Sequence, residues 1–296
     1  GLKTLLLETN EHELSNFLTS LMSFDETTHD FLSDTPGSFR ATCEGIRKAV
    51  GSGFRLAVNM VVTKKNMCQV VETGRFVQRL GALGFCATKA SKPGSCQDFG
   101  EYHLSSDELQ RMFRDLLFVR DETGIGIDSL EHYPACAFPD SEARTVFGSR
   151  NCSAGKTGCT IGFNGLVRPC SHAQQTYGNV TDGLRAAWRA MDQWRSGELV
   201  PERCKSSCKE FPHRCGGGCR VEAGNCNGSI DGHDPYCIGG TPPVKRARSQ
   251  VALDPESTFF PARNLRFRAE EGGQLGYLNV RNWVLVDGTI AGLLRS

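Results

Sequence analysis

The first half of the chain alternates short apolar runs with amphipathic stretches. Lys3 to Leu7 is apolar and ends at Thr9-Asn10, which predicts a buried parallel strand. Ser38 to Val50 predicts a helix, and after the Gly51-Ser52-Gly53 turn, Phe54 to Thr63 predicts a β-rich strand. Val70 to Leu80 predicts the next helix, closed by Gly81, and Gly84 to Lys89 the next strand. Ser106-Asp107 is expected to cap a helix whose buried stripe is Leu109, Met112, Phe113, Leu116 and Leu117. Strand and helix in turn predict an α/β fold on a parallel sheet, open or curled into a barrel.

The alternation breaks near Ser141 to Asn151. Farther on, Thr181 is expected to cap one amphipathic helix carrying Leu184, Ala187, Trp188, Met191 and Trp194. Thr241 to Gln250 is a proline-rich, basic linker, and a small tail follows. In it Leu265 and Phe267 alternate with Arg266 and Arg268, Tyr277 to Val286 predicts a second strand, and Asp287 to Leu294 begins a helix. No internal repeat is visible.

Composition narrows the class. Hydrophobic residues at 39% and charged ones at 23% of 296 residues describe a protein with a real core. A net charge of +1 gives no global field for nucleic acid or an anionic membrane. Apolar runs such as Leu56 to Val62, interrupted by Asn59, are too short to span a bilayer. Gly1 to Leu7 lacks the layout of a signal peptide, so a cytoplasmic protein is expected. In that reducing compartment, clustered cysteines argue for metal over disulfides.

Nine of the fourteen cysteines lie between Cys152 and Cys237. Gly165 precedes Leu-Val-Arg-Pro-Cys170, a Gly-x4-Cys unit, and Cys204-x3-Cys208-x6-Cys215-x3-Cys219 follows with Gly216, Gly217 and Gly218 in its last gap. Short spacers and glycine turns let several sulfurs surround one metal centre. Structural zinc on four cysteines is the competing reading, since Cys204-x3-Cys208 suits either metal. Cys43, Cys68, Cys86, Cys96 and Cys136 are scattered with no ligand spacing. Gly155-Lys156-Thr157 resembles part of a phosphate loop, but Arg150 stands where its first glycine belongs.

The order Cys152, Gly165 to Cys170, Cys204, Cys208, Cys215, Cys219 and then Pro-Tyr-Cys237 resembles the SPASM extension of radical S-adenosylmethionine enzymes, especially maturases of ribosomally made peptides. Gly178-Asn179-Val180 matches that family's usual Gly-Asn turn. Farther upstream, Thr9-Asn10, Ser23-Phe24-Asp25, Asn59, Asn66 and Pro93-Gly94 match the ends of its barrel strands from the third onward. The resemblance implies a partial barrel over residues 1–148, an auxiliary-cluster domain over 149–240, and a linker with a small α+β appendage over 241–296.

It also implies two auxiliary 4Fe-4S clusters, which need eight thiolates if held by protein alone. Cys152, Cys159, Cys170 and Cys219 would hold one, and Cys204, Cys208, Cys215 and Cys237 the other. Cys226 is an alternative to Cys237, and both gaps before Cys215 are one residue longer than the family's usual x2 and x5. Ser23 and Asn59 become candidate contacts for S-adenosylmethionine. The family's Cys-x3-Cys-x2-Cys and the Gly-Gly-Glu of its second strand appear nowhere in this sequence. The chain is therefore expected to be part of a longer or split system, completed by a companion chain, or a sequence that has lost the initiating site. S-adenosylmethionine is expected only with the missing segment, and its cleavage is not expected of this chain alone.

In the intact enzyme the implied reaction is hydrogen abstraction from a precursor peptide by a 5′-deoxyadenosyl radical. Ser171-His172 stands where some members carry a proton-accepting aspartate, so that role does not carry over, and His172 is the substitute to consider. His29 and Asp30 could position substrate, although an N-cap or a solvated loop accounts for them as well. The tail resembles a peptide-capturing winged-helix element, which works by strand addition, and an ordinary packing appendage explains it equally. The rival class is a non-catalytic iron–sulfur electron carrier or peptide-binding partner on the same scaffold.

Overall fold

The structure is a computed structural model that describes residues 16–94 and 98–239 in full, with the backbone of strands at 266–270, 273–279 and 282–286. The predicted strand at Lys3 to Leu7, the linker and the predicted C-terminal helix lie outside the described residues. Two compact units divide the chain, 1–245 and 246–296.

The first unit is built on four parallel strands in the order β1 (Phe17–Ser20), β2 (Leu56–Val62), β3 (Gly84–Lys89) and β4 (Gly126–Asp128). Registers run Thr19 to Val58, Asn59 to Cys86 and Cys86 to Asp128. Five helices accompany them: α1 (Glu26–Ser33), α2 (Ser38–Gly51), α3 (Val70–Arg79), α4 (Ser106–Thr123) and α5 (Ser141–Phe147). Side chains alternate across a strand, so Val58, Met60, Val62, Phe85 and Ala87 face one way and are wholly buried in the main core. Val70 and Val77 of α3 and Leu109, Met112, Phe113 and Leu116 of α4 fill that core. Asn59 and Thr88 belong to the opposite face, where the Thr88 hydroxyl donates to Asn59 Oδ1 at 2.8 Å.

Local chemistry explains the helix boundaries. Ser105, rather than Ser106-Asp107, caps α4. Its hydroxyl accepts from the Glu108 amide while Glu108 Oε2 accepts from the Ser105 amide, a reciprocal capping box. Asp30 closes α2 from outside, accepting from the amides of Gly37 at 2.6 Å and Phe39 at 2.8 Å. Gly74 lets α3 and α4 approach: a Cβ there would lie 2.6 Å from Val119 Cγ1.

After α5, which forms where the sequence pattern breaks, regular structure is sparse. A two-stranded antiparallel ribbon pairs β5 (Thr160–Ile161) with β6 (Val167–Arg168), and three short helices follow: α6 (Leu184–Ala190), α7 (Glu202–Ser207) and α8 (Arg220–Asn227). The expected helix from Thr181 to Trp194 is broken into a 3-10 turn, α6 and a second 3-10 turn, with Asn179 accepting from the Thr181 amide at its start. Its apolar face holds in part: Ala187, Met191 and Trp194 are buried in a second core with Val167 and Leu199 and Trp188 packs against it, but Leu184, at the start of α6, is exposed. The unit 246–296 contains an antiparallel sheet of β7 (Arg266–Glu270), β8 (Gly273–Asn279) and β9 (Asn282–Val286), so the single strand expected from Tyr277 to Val286 is split into parts of two.

Candidate metal centres

Two groups of thiols form in the first unit. Cys152, Cys159, Cys170 and Cys219 all pack against the second core. The ribbon explains how distant residues meet. Thr160 pairs with Arg168, so Cys159 falls one step beyond, beside Pro169-Cys170. Burial raises the Cys170 thiol, and the nearby Cys152 adds to the effect. Burial likewise pushes the Cys219 thiol up to about 12, with Cys152 contributing again. Cys219 is also the N-cap of α8, its Sγ accepting from the Glu222 amide at 3.4 Å.

The second group lines a cavity of about 240 Å³. Cys204 lies within α7, Cys208 caps its end, Cys215 follows a turn, and Cys237 arrives from beyond α8. Amides of Ala135 and Gly217 point at Cys215 Sγ from 3.5 and 3.4 Å. The Cys204 thiol is raised by burial first and then by its neighbours Cys208 and Cys215. Such sulfur-rich sites with backbone donors aimed at the sulfur match the chemistry of a thiolate-held metal, because an amide hydrogen bond favours the thiolate. His132 Nε2, a buried atom without a hydrogen-bond partner, lies near Gly216, immediately after Cys215. The thiols lining this cavity therefore suit a thiolate-held metal.

A fifth thiol joins this cavity. Cys136 lies in the 3-10 turn Ala135–Ala137, and its Sγ donates to Cys237 Sγ at 3.6 Å. Sequence spacing carried no sign of it, because Cys204 lies 68 positions farther on. Cys226 lies elsewhere. Its Sγ is 3.8 Å from both Glu222 Oε1 and His103 Nε2, and burial pushes it up to about 11.

The tight chain around the sulfurs depends on Gly218 and Arg220. Gly218 adopts φ +81°, and a Cβ there would lie 2.5 Å from Asp234 Cβ. Asp234 is buried and accepts from the Cys219 and Tyr236 amides at 2.7 and 2.9 Å. The buried Arg220 guanidinium donates to the carbonyls of Leu199, Gly217, Ile230 and Gly232.

A buried charge network ties the sheet to this region. Lys89, at the end of β3, reaches Glu131 at 3.0 Å and Glu222 at 3.1 Å. Burial opposes the Glu222 charge, yet the His103 hydrogen bond and the Lys89 ammonium hold it at about 2. Lys89 is raised despite its burial because two carboxylates face it. His103, Glu222 and Cys226 have a spacing that could hold a cation, but the Lys89 ammonium already neutralises Glu222.

No family model matches the sequence. Mycofactocin maturase MftC of Mycobacterium tuberculosis is 26% identical over 238 residues, 77% of this chain and 59% of that protein. The AdoMet-dependent heme synthase of Methanosarcina barkeri is 24% identical over 225 residues, 71% of this chain and 64% of its own. In fold, Streptococcus suis SuiB bound to S-adenosylmethionine overlays with a TM-score of 0.54 and 19% identity, covering 75% of this chain and 54% of SuiB. The chain is thus similar in sequence to a maturase and to an AdoMet-dependent synthase, and in fold to a protein that binds S-adenosylmethionine. It spans less than two thirds of the length of either sequence relative.

As expected, a parallel α/β sheet comes first and the cysteine-rich region follows it. Ser23 lies just past β1, wholly buried, its hydroxyl bonded to Gln69 and accepting from the Asp25 amide at 2.8 Å. Asn59 lies in β2 opposite Ser20. Asn66 serves the fold, bonding the Met22 and Val61 carbonyls and the Thr63 amide. Among the described residues, no helix is long and apolar enough to cross a membrane.

Proposed function

We propose that this chain forms the auxiliary-cluster part of a radical S-adenosylmethionine enzyme that modifies a ribosomally made peptide. Support comes from two all-sulfur thiol groups on a fold shared with peptide maturases. Cys152, Cys159, Cys170 and Cys219 would hold one four-iron cluster, and Cys204, Cys208, Cys215 and Cys237 the other. Bound there, the clusters supply one-electron acceptors or a docking point for substrate. The chain's own part is to exclude water with its second core and to aim the Ala135, Gly217 and Glu222 amides at sulfur. The Lys89–Glu222 pair holds α8, and with it Cys219, against the sheet.

The substrate would be a precursor peptide, in keeping with SuiB, whose structure is known bound to its precursor peptide SuiA. S-adenosylmethionine would enter with a Cys-x3-Cys-x2-Cys segment from outside these 296 residues, on a companion chain or in further sequence, with Ser23, just past β1, and Asn59, on β2, as its contacts.

The deciding measurement is iron, sulfide and zinc per chain after anaerobic purification and reconstitution. About eight irons with matching sulfide are expected. Stoichiometric zinc with little iron would overturn the maturase reading. Full clusters but no peptide modification, even with the segment restored, would favour an electron carrier or peptide-binding partner.

A further inference from the structure

Each iron corner of a four-iron cluster takes one protein thiolate, so four sulfurs complete a cluster. The second cavity offers five: Cys136, Cys204, Cys208, Cys215 and Cys237. Cys204, Cys208 and Cys215 come from one stretch of chain. Cys136 and Cys237 come from two others, with sulfurs 3.6 Å apart. We propose that Cys136 is a fifth thiolate of this site and shares one coordination position with Cys237, so that either can complete the cluster; this rests on the cluster reading above.

Both thiols are held in place by neighbours in the main core. Cys136 is flanked by Tyr133 and Phe138, whose rings lie 5.1 and 5.0 Å from that of Phe113 in α4. The adjacent Ala135 amide points at Cys215 Sγ, so the turn carrying Cys136 wraps the same sulfur group. Cys237 follows Tyr236, which is almost fully buried, donates to the Leu104 carbonyl at 3.0 Å and stacks on His103. Two thiols fixed by the same core and in contact with each other can exchange at one iron without any shift of the backbone.

The test is iron and sulfide per chain in the reconstituted full chain and in its C136A, C237A and C136A/C237A variants. Each single variant is expected to keep the wild-type content, and the double variant to lose about half. The half that remains, in the Cys152 group, reports that the double variant is folded. A single variant that loses as much as the double would overturn the shared position, as would a double variant that loses nothing. A wild-type chain without iron would instead overturn the cluster reading itself.

Discussion

Lys89 Nζ and Glu222 Oε2 lie 3.1 Å apart with both side chains almost wholly buried, joining the end of a sheet strand to the helix that Cys219 caps. Removing one partner leaves a buried charge uncompensated. Lys89→Met is therefore expected to cost about 3–5 kcal/mol in urea unfolding. Lys89→Met/Glu222→Gln should recover part of that loss. An unchanged midpoint for the single variant would rule the pair out as a structural link.

Phe113 contacts Tyr133, Phe138 and Phe147 at ring separations of 5.1, 5.0 and 5.1 Å. Phe113→Ala should destabilise the chain by about 3–5 kcal/mol through lost burial and the cavity left behind. Urea unfolding checks it, and a cost below about 1 kcal/mol would mean the ring cluster collapses onto the gap.

Gly218 and Gly228 both adopt positive φ, at +81° and +82°, but only Gly218 is crowded, by Asp234. Alanine at Gly228 should cost about 1–2 kcal/mol from backbone conformation alone. Alanine at Gly218 should cost more and reduce metal retention, because Asp234 would be pushed off the Cys219 amide. Equal melting temperatures for the two variants would contradict this.

Burial lowers the pKa of His29 from its ordinary value of 6.5, against the smaller opposing effect of Asp30. Its Nδ1 accepts from the Met22 amide at 3.0 Å, as a neutral ring must. The unfolded chain thus takes up a proton near pH 6.5 that the folded chain refuses, and stability falls as pH drops from there to the folded pKa. His29→Asn, which keeps an acceptor, should flatten the melting temperature over that window. A profile identical to wild type would show that His29 does not contribute.

Much of the sheet was legible because its physics is local. Gly84 to Lys89 is a strand with those limits, and every residue of the stripe Leu109, Met112, Phe113, Leu116 and Leu117 is buried. The cap of α4 moved one residue to Ser105 because the partner that closes the box is Glu108. Pattern failed where contacts are remote. Trp194 is buried as its place on the stripe required, but the predicted single helix is broken after α6, and the Trp194 indole donates to Tyr177. Cys136 had no spacing to betray it, since its place at the cavity follows from Phe113 and Tyr236 rather than from neighbours in sequence. Lys89 offered a weak signal, a lysine closing an otherwise apolar strand, whose partner Glu222 lies 133 positions away.

The thiols of Cys136 and Cys237 are 101 positions apart in sequence. With Cys136 as the last ligand, a metal would tie it to Cys204, 68 positions on, and act as a staple, removing closure entropy from the unfolded chain as a disulfide does, by about 4–5 kcal/mol for a loop of that order. Loading the second site would then lock the sheet-bearing strands and the cysteine-rich segment into one cooperative unit, so that loss of metal is felt as far away as α4.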